Sequence, residues 1–422
     1  MTITPARRGS VLMLTPDREI DRRITLEADA LRDDGWEVMV VALPSEREPA
    51  SDPAWIVRAR PRGGEAQRER AVLGAYRALR SWIPMNGPLM RGLKAIVWGG
   101  LADPEWFYDR LFAEAIAGTR PTIVVAHDLP MLPLAHRHAA AVGAKLVYDS
   151  HELWCEKGFP ERWKRGWRTV EGRHIRHCDA IITINHSIAA LLRERYGLAE
   201  VDVITNATTP LAGRPRDLRR ACGIESNALV LLYQGGLTAG RQIEQVITAM
   251  ASVRDARVHL VMLGSGALKS RLVRLASRGA ARGRVHFLDP VPQAELLEWS
   301  ASADGGIIPY GSDCLNNHLC TPNKLYEFIA AGTPILANDL PELRASVAAH
   351  GFGLIREMRD SNSVATAIDE FFADPSALAR WRSSLTQRQG EFAWPIEAAK
   401  YQTIMRRVAA LERPAARQAP AR

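Results

Sequence analysis

The segment TPNKLYEFIAAGTPIL at 321–336 holds two side chains suited to an anionic, hydroxyl-bearing ligand. Thr321 suits a helix N-cap, Pro322 the first helical position and Gly332 a left-handed stop, so a short helix is predicted between them. Lys324, Leu325 and Glu327 fall in its first turns, where backbone N–H groups and the helix dipole attract negative charge. A carboxylate at Glu327 can accept from ribose hydroxyls while Lys324 and the helix end face phosphates. On an ordinary α/β helix the same two residues would simply be solvated.

A second candidate anion seat is YQGGLTAGR at 233–241, which reads as strand, Gly-rich loop and helix. Gly235 and Gly236 let the backbone approach a bound group closely, and the following helix start favours phosphate. The dinucleotide fingerprint G-x-G-x-x-G is absent. Arg241 either faces a phosphate or is a plain surface residue. Gly264, in GSG after a buried strand, marks a ligand-proximal turn or an ordinary tight one.

His127 and Asp128 follow a strand predicted at 123–126. Asp149, His151 and Glu152 follow another at 145–148. Carboxyl ends of parallel strands face the crevice of open α/β sheets. Residues there can orient a hydroxyl or relay its proton; the plain alternative is a loop that caps helices. No Ser-His-Asp or metal-ligand constellation is legible, and no metal or cofactor is expected.

Those residues need rigid strands to carry them. Strand and helix signals alternate through the first half, with strands at 11–14, 38–42, 123–126, 145–148 and 180–184 and a helix at 22–33. A second series starts near 228, with strands at 230–234, 259–263, 285–288, 306–308 and 335–337. The fold class is therefore α/β, doubly wound. Two prolines and a glycine at 208–215 suggest a hinge. The expected organisation is a first domain over 1–207, a second over 208–390, an amphipathic helix over 391–412 and a disordered tail over 413–422. Residues 62–107 read as a helical excursion.

Composition narrows the classes. At 422 residues the chain can bury two cores. No apolar run reaches the roughly 18 residues of a membrane span, and the run after the N-terminal arginines is too short for a signal peptide. A cytoplasmic location is expected. Five cysteines (155, 178, 222, 314 and 320) form no C-x-x-C pair, which argues for reduced thiols; Cys314 and Cys320 share the loop before Lys324. A net charge of +8 calls for an anionic partner. No nucleic-acid signature is present, and no nucleic-acid partner is expected. Basic residues between Lys157 and Arg176, interleaved with Trp163 and Trp167, suit lipid headgroups or a solvated helix with tryptophans beneath it.

Taken together and in order, these segments resemble the retaining glycosyltransferases of glycosyltransferase family 4. The stretch beginning Asp21-Arg22-Arg23, the DSHELW at 149–154, the VITN at 203–206 and the 321–336 helix carry the likeness over about residues 10–400. It implies GT-B architecture, with two Rossmann-like domains facing across a cleft and a last helix crossing back to the first. It implies sugar transfer with retention from a nucleotide-diphosphate sugar to a hydroxyl of a glycan or lipid-linked acceptor. Arg241, Lys324 and a helix end can replace a metal ion. The basic first half with its interleaved tryptophans suits peripheral contact with the inner face of an anionic membrane.

By the same resemblance Arg241 neutralises the departing diphosphate, Val291 lies where backbone groups read the base, and His127 is the acceptor-side histidine. Asp21, Arg22, His151 and Glu152 belong to the acceptor half. Two departures stand out. Gly236 replaces a second cation, and Leu319 replaces the first glutamate of an E-x7-E pair whose second member is Glu327. Asn316, Asn317 and His318 offer substitute hydrogen bonds to the donor sugar. An epimerase of the same fold and a non-catalytic nucleotide-sugar binder are the alternatives.

Overall fold

The computed structural model describes residues 8–45, 52–59 and 106–412. Seven strands make the first sheet: β1 (Ser10–Leu14), β2 (Glu37–Ala42), β3 (Ile56–Arg58), β4 (Ile123–His127), β5 (Lys145–Ser150), β6 (Ala180–Thr183) and β7 (Asp202–Val203). They lie in the order β3-β2-β1-β4-β5-β6-β7, every pairing parallel. Six make the second: β8 (Leu229–Gln234), β9 (Val258–Leu263), β10 (Val285–Leu288), β11 (Gly305–Ile308), β12 (Ile335–Asn338) and β13 (Gly353–Arg356). Their order is β10-β9-β8-β11-β12-β13, again all parallel. The chain thus forms the expected pair of Rossmann-like sheets.

Alternation of side chains splits each sheet between two cores. On β1, Leu12 and Leu14 face one cluster with Val124, Ala126 and Tyr148, while Val11 and Met13 face another with Ile24, Leu31 and Val125. The second cluster also takes Tyr401, Ile404, Met405 and Val408 from the terminal Trp394–Ala410 helix, so that helix does cross back to the first sheet. Gln402 donates to Ala30 O at 2.8 Å, and Arg406 pairs with Asp34, which pins the two helices together.

Three short edge strands, β3, β7 and β13, were not among the sequence expectations. They are two to four residues long and half-buried or exposed, so their few apolar residues make too brief a run to read. The helix at 321–336 also starts later than its residues suggest. It runs Asn323–Ala331 with Pro322 as the N-cap residue, and no side chain caps it. Thr321 lies outside, its hydroxyl accepting from Asn185 Nδ2 at 3.3 Å. Gly332 ends the helix in the left-handed conformation, as expected (φ 66°).

Glycines set how closely that helix approaches its sheet. A Cβ on Gly306 would fall 2.4 Å from Phe328 Cζ, and one on Gly305 as close to Phe371 on the opposite face. Of the tryptophans on the Glu161–His174 helix, Trp167 packs edge-on against Trp154 with ring centroids 6.0 Å apart, beneath the helix and not out in solvent. The expected helical excursion over 62–107, up to the start of the Phe107–Ile116 helix, and the tail after Arg413 lie outside the described residues.

Candidate active site

The strand ends of both sheets open onto one cleft of about 440 Å³. The first half lines it with Asp21, Asp128, His151 and Glu152; the second contributes Gly235, Gly236, Arg241, Asn316, Asn317, Lys324 and Glu327. Five anticipated residues lie elsewhere. Leu325 is fully buried in the core beneath the helix, and its N–H bonds to Pro322 O at 2.9 Å. Gly264 supports Gly235: at φ 148° a side chain there would strike Gly235 O. Val291 packs against the second core, and Gln293 and Leu296 line the cleft in its place. Arg22 and His127 act from behind the surface, as described below.

Lys324 is the unusual member. It is 5% exposed, and its Nζ has no hydrogen-bond partner among the described residues. The ammonium sits 3.7 Å from the Tyr233 ring centroid and 5.0 Å from that of Tyr310, while Arg241 Cζ lies 4.2 Å from the Tyr310 centroid. Burial, reinforced by repulsion from Arg241, pushes the Lys324 pKa down to about 7. Two basic side chains are thus held on aromatic faces, with no carboxylate among the described residues paired to either. The uncapped end of the Asn323–Ala331 helix adds its dipole to the same spot.

Glu327 lies next to this pair and is held on both oxygens. Arg22 Nη1 reaches across from the first half to Oε1 at 3.0 Å, and Gln234 Nε2 donates to Oε2 at 2.6 Å. Gln234 is itself oriented by Ser300 Oγ, 2.7 Å from its Oε1. Each carboxylate oxygen keeps a free lone pair for a ligand hydroxyl. Arg22, expected on the acceptor side, is therefore turned toward Glu327 of the second half. Nothing local announces this contact, since its partners are 305 residues apart.

In the first half His127 does not face the cleft. It is fully buried, with Nδ1 3.2 Å from His151 Nε2 and 3.6 Å from Asp149 Oδ2. Burial holds its pKa down at about 4, so it stays neutral. The correction follows from β4 running on through His127, which turns that side chain into the layer beneath His151. His151 and Asp128 occupy the cleft surface instead. Burial opposes a charge on His151, but Asp149 outweighs it and raises the pKa to about 10. Asp128, with φ 63° and Oδ1 accepting the His151 N–H at 3.0 Å, has its pKa raised by burial.

Below them lies a buried charge network. Arg23 donates to Glu27 at 2.7 Å and to Asp149 at 2.8 Å, and to Ile204 O at 2.7 Å. Glu27, His127, Asp149 and His151 place one ligand atom each within 4.8 Å of one another, a grouping able to hold a metal ion. The Arg23 guanidinium already supplies positive charge to its two carboxylates, so the residues fit an ion pair network better than a cation site.

The halves are also stitched together. Asn316 Oδ1 accepts the Leu153 N–H at 2.8 Å, Asn323 Nδ2 donates to Asp21 Oδ2 at 3.1 Å, and Asn206 Nδ2 to Thr321 O at 3.0 Å. Asn317 donates to Asp313 at 2.8 Å and to Gly240 O at 3.3 Å. Both asparagines expected to serve a donor sugar are thus committed within the protein. Leu319, with Leu315 one turn before it, packs against the apolar core of the first half. Asp17, Tyr310 and Cys320 also line the cleft without having been singled out for it; the first two stand outside any recognisable pattern. Burial pushes the Cys320 thiol up to about 12, and all five cysteines are free thiols.

With this geometry in hand, the likenesses to known proteins are coherent. Residues 19–207 match the model of a glycosyl transferase 4-like domain, and 228–374 that of the glycosyl transferases group 1. Glycogen synthase of Mycobacterium tuberculosis is 26% identical over 306 residues, covering 69% of this chain and 67% of that one. A D-inositol 3-phosphate glycosyltransferase of Frankia alni is 26% identical over 382 residues, covering 79% and 90%. Among solved structures, sucrose-phosphate synthase from Thermosynechococcus elongatus superposes with a TM-score of 0.71 at 17% identity, covering 95% of this chain and 99% of that one. Anabaena HepE in complex with UDP-glucose gives 0.69 at 15%, covering 94% and 99%. These last two speak to the GT-B fold. Neither an epimerase nor a non-catalytic binder is favoured by any of the matches. The two matched models meet at the cleft built by Asp128, His151, Arg241, Lys324 and Glu327, and the chain belongs to the glycosyltransferases of family 4 type.

Proposed function

We propose that the chain moves a hexose or related sugar from a nucleotide-diphosphate sugar to a hydroxyl of a glycan or lipid-linked acceptor, with retention at the anomeric carbon. The observation that carries this is the unpartnered, buried Lys324 ammonium beside Arg241. A diphosphate seated there pairs both cations, and Glu327 accepts from the ribose hydroxyls. That a chain of the same fold was solved with UDP-glucose supports the donor class.

As the bond between the anomeric carbon and the phosphate oxygen breaks, charge grows on the diphosphate. Arg241, Lys324 and the helix end stabilise it, the work a divalent ion performs elsewhere. The acceptor oxygen bonds to the same face of the anomeric carbon, and its proton passes to the departing phosphate oxygen. Asp128 orients that hydroxyl from the first half of the cleft. His151 is held cationic by Asp149 and so serves as a fixed charge and not as a base.

No helix among the described residues is long and apolar enough to cross a membrane. The exposed Arg162, Arg165 and Arg176 support peripheral attachment at the cytoplasmic face of an anionic bilayer, at about 1 kcal/mol per basic residue. Titration calorimetry with nucleoside mono- and diphosphates tests the donor seat. Diphosphates should bind at least about tenfold tighter, since the second phosphate adds charged hydrogen bonds. Equal binding would overturn the seat, and loss of transfer on adding EDTA would overturn its metal independence.

A further inference from the structure

The two walls of the cleft carry opposite charge. Arg241 and Lys324 stand on the second half, while the first half presents Asp17, Asp21, Asp128 and Glu152. In a chain of net charge +8 this wall runs against the overall balance. Glu152 is paired with Lys157, and Glu327 across the cleft with Arg22. Asp17, Asp21 and Asp128 have no ion-pair partner among the described residues. Asp17 Oδ2 accepts the Asp21 N–H at 3.3 Å, and Asp21 accepts from the Arg23 N–H and the Asn323 amide. Among the cations acting on Asp17 and Asp128, His151 has the strongest effect on both, and its charge is already shared with Asp149.

We infer that the acceptor end of this cleft selects a neutral or amino-bearing polyol and rejects one carrying phosphate or carboxylate beside the reacting hydroxyl. Unpaired carboxylates accept from several hydroxyls or from an ammonium at once, whereas a second anion meets like charge in a partly desolvated site. The opposite wall marks where an anion does belong. Lys324, more than nine-tenths buried and unpartnered, claims the diphosphate for the donor end. Mutual repulsion is already felt within the acidic wall: burial raises the carboxyl of Asp17, His151 opposes this, and Asp21 adds to it.

This inference rests on the transfer reading above, and the test separates the two. The full chain is incubated with labelled nucleotide sugars on an array of neutral, amino, phosphorylated and carboxylated glycans, and nucleoside diphosphate binding is measured in parallel by calorimetry. Labelling should be confined to neutral and amino members, by at least about tenfold over anionic ones at low salt. The conservative variants Asp17→Asn and Asp128→Asn should narrow that gap severalfold. Comparable or better labelling of anionic members, no labelling of any member, or a gap unchanged in both variants overturns the inference. Diphosphate binding with anionic acceptors preferred sinks only the acceptor claim. Failure to bind diphosphate sinks the transfer reading itself.

Discussion

Both halves of the molecule bury charge at their strand ends, but they treat it differently. In the first half Arg23 pairs with Glu27 and Asp149, and His151 with Asp149, so each charge has an opposite partner, although Glu27 Oε2 accepts no hydrogen bond among the described residues. In the second half Lys324 and Arg241 rest on aromatic rings with no carboxylate among the described residues paired to them. A closed network holds shape, because removing one partner strands the others in low dielectric. An open pair holds binding energy in reserve, because its desolvation has already been suffered and a ligand supplies the missing charge. Position in the fold is equivalent; pairing separates scaffold from site.

The largest expected effect tests the closed network. Arg23→Met leaves buried Glu27 without its cation and Asp149 with His151 alone, and should lower unfolding stability by about 3–5 kcal/mol in urea titrations. An unchanged midpoint would erase the distinction between the halves. Lys324→Met should do the reverse. Nucleoside diphosphate affinity falls by about 1.5–3 kcal/mol, the worth of a charged hydrogen bond, while thermal stability holds or rises. If this variant unfolds readily, the open pair is scaffold too.

Glu327→Ala should show both symptoms at smaller size, because it loses a ribose acceptor and also frees Arg22 and Gln234. We expect about 1.5 kcal/mol from affinity and a measurable loss of stability. A pure binding defect would mean that the Arg22 contact is dispensable.

Proton linkage sharpens the comparison further. Lys324 titrates near 7 with the cleft empty, and a bound diphosphate raises that value. Binding therefore takes up a proton above pH 7, and affinity falls by up to about tenfold per pH unit through that window. Stability of the empty protein runs the other way: the unfolded lysine binds more protons, so this group's contribution improves as pH rises from about 7. His151, raised to about 10, has the opposite sign. Its contribution is complete below the unfolded value and lost as pH rises through about 10. Calorimetry in buffers of differing ionisation heat reads the uptake, and zero uptake at pH 8 would contradict the Lys324 assignment. The smallest effect is expected for Asn316→Ala, about 1 kcal/mol from the Leu153 contact between the halves.

What the amino-acid order determined by itself was local. Apolar runs marked the buried strands β1, β4, β5, β8 and β12 to within one or two residues, because a strand buried on both faces needs continuous hydrophobic side chains. Gly332 as a left-handed stop, and the helix carrying Lys324 and Glu327, also followed from neighbours a few positions apart. β3 and β13 escaped because these edge strands are three and four residues long and incompletely buried, so their apolar residues form too brief a run. Tertiary structure alone decided which charges are paired. Lys324 and Arg23 are both basic residues in the first turns of helices, yet one meets tyrosine rings and the other meets Glu27 and Asp149. His127 lies beneath His151, and Leu319 is committed to the opposite half, for the same reason. Strand register and the closing of two domains bring together residues more than a hundred positions apart, and no local periodicity records such contacts.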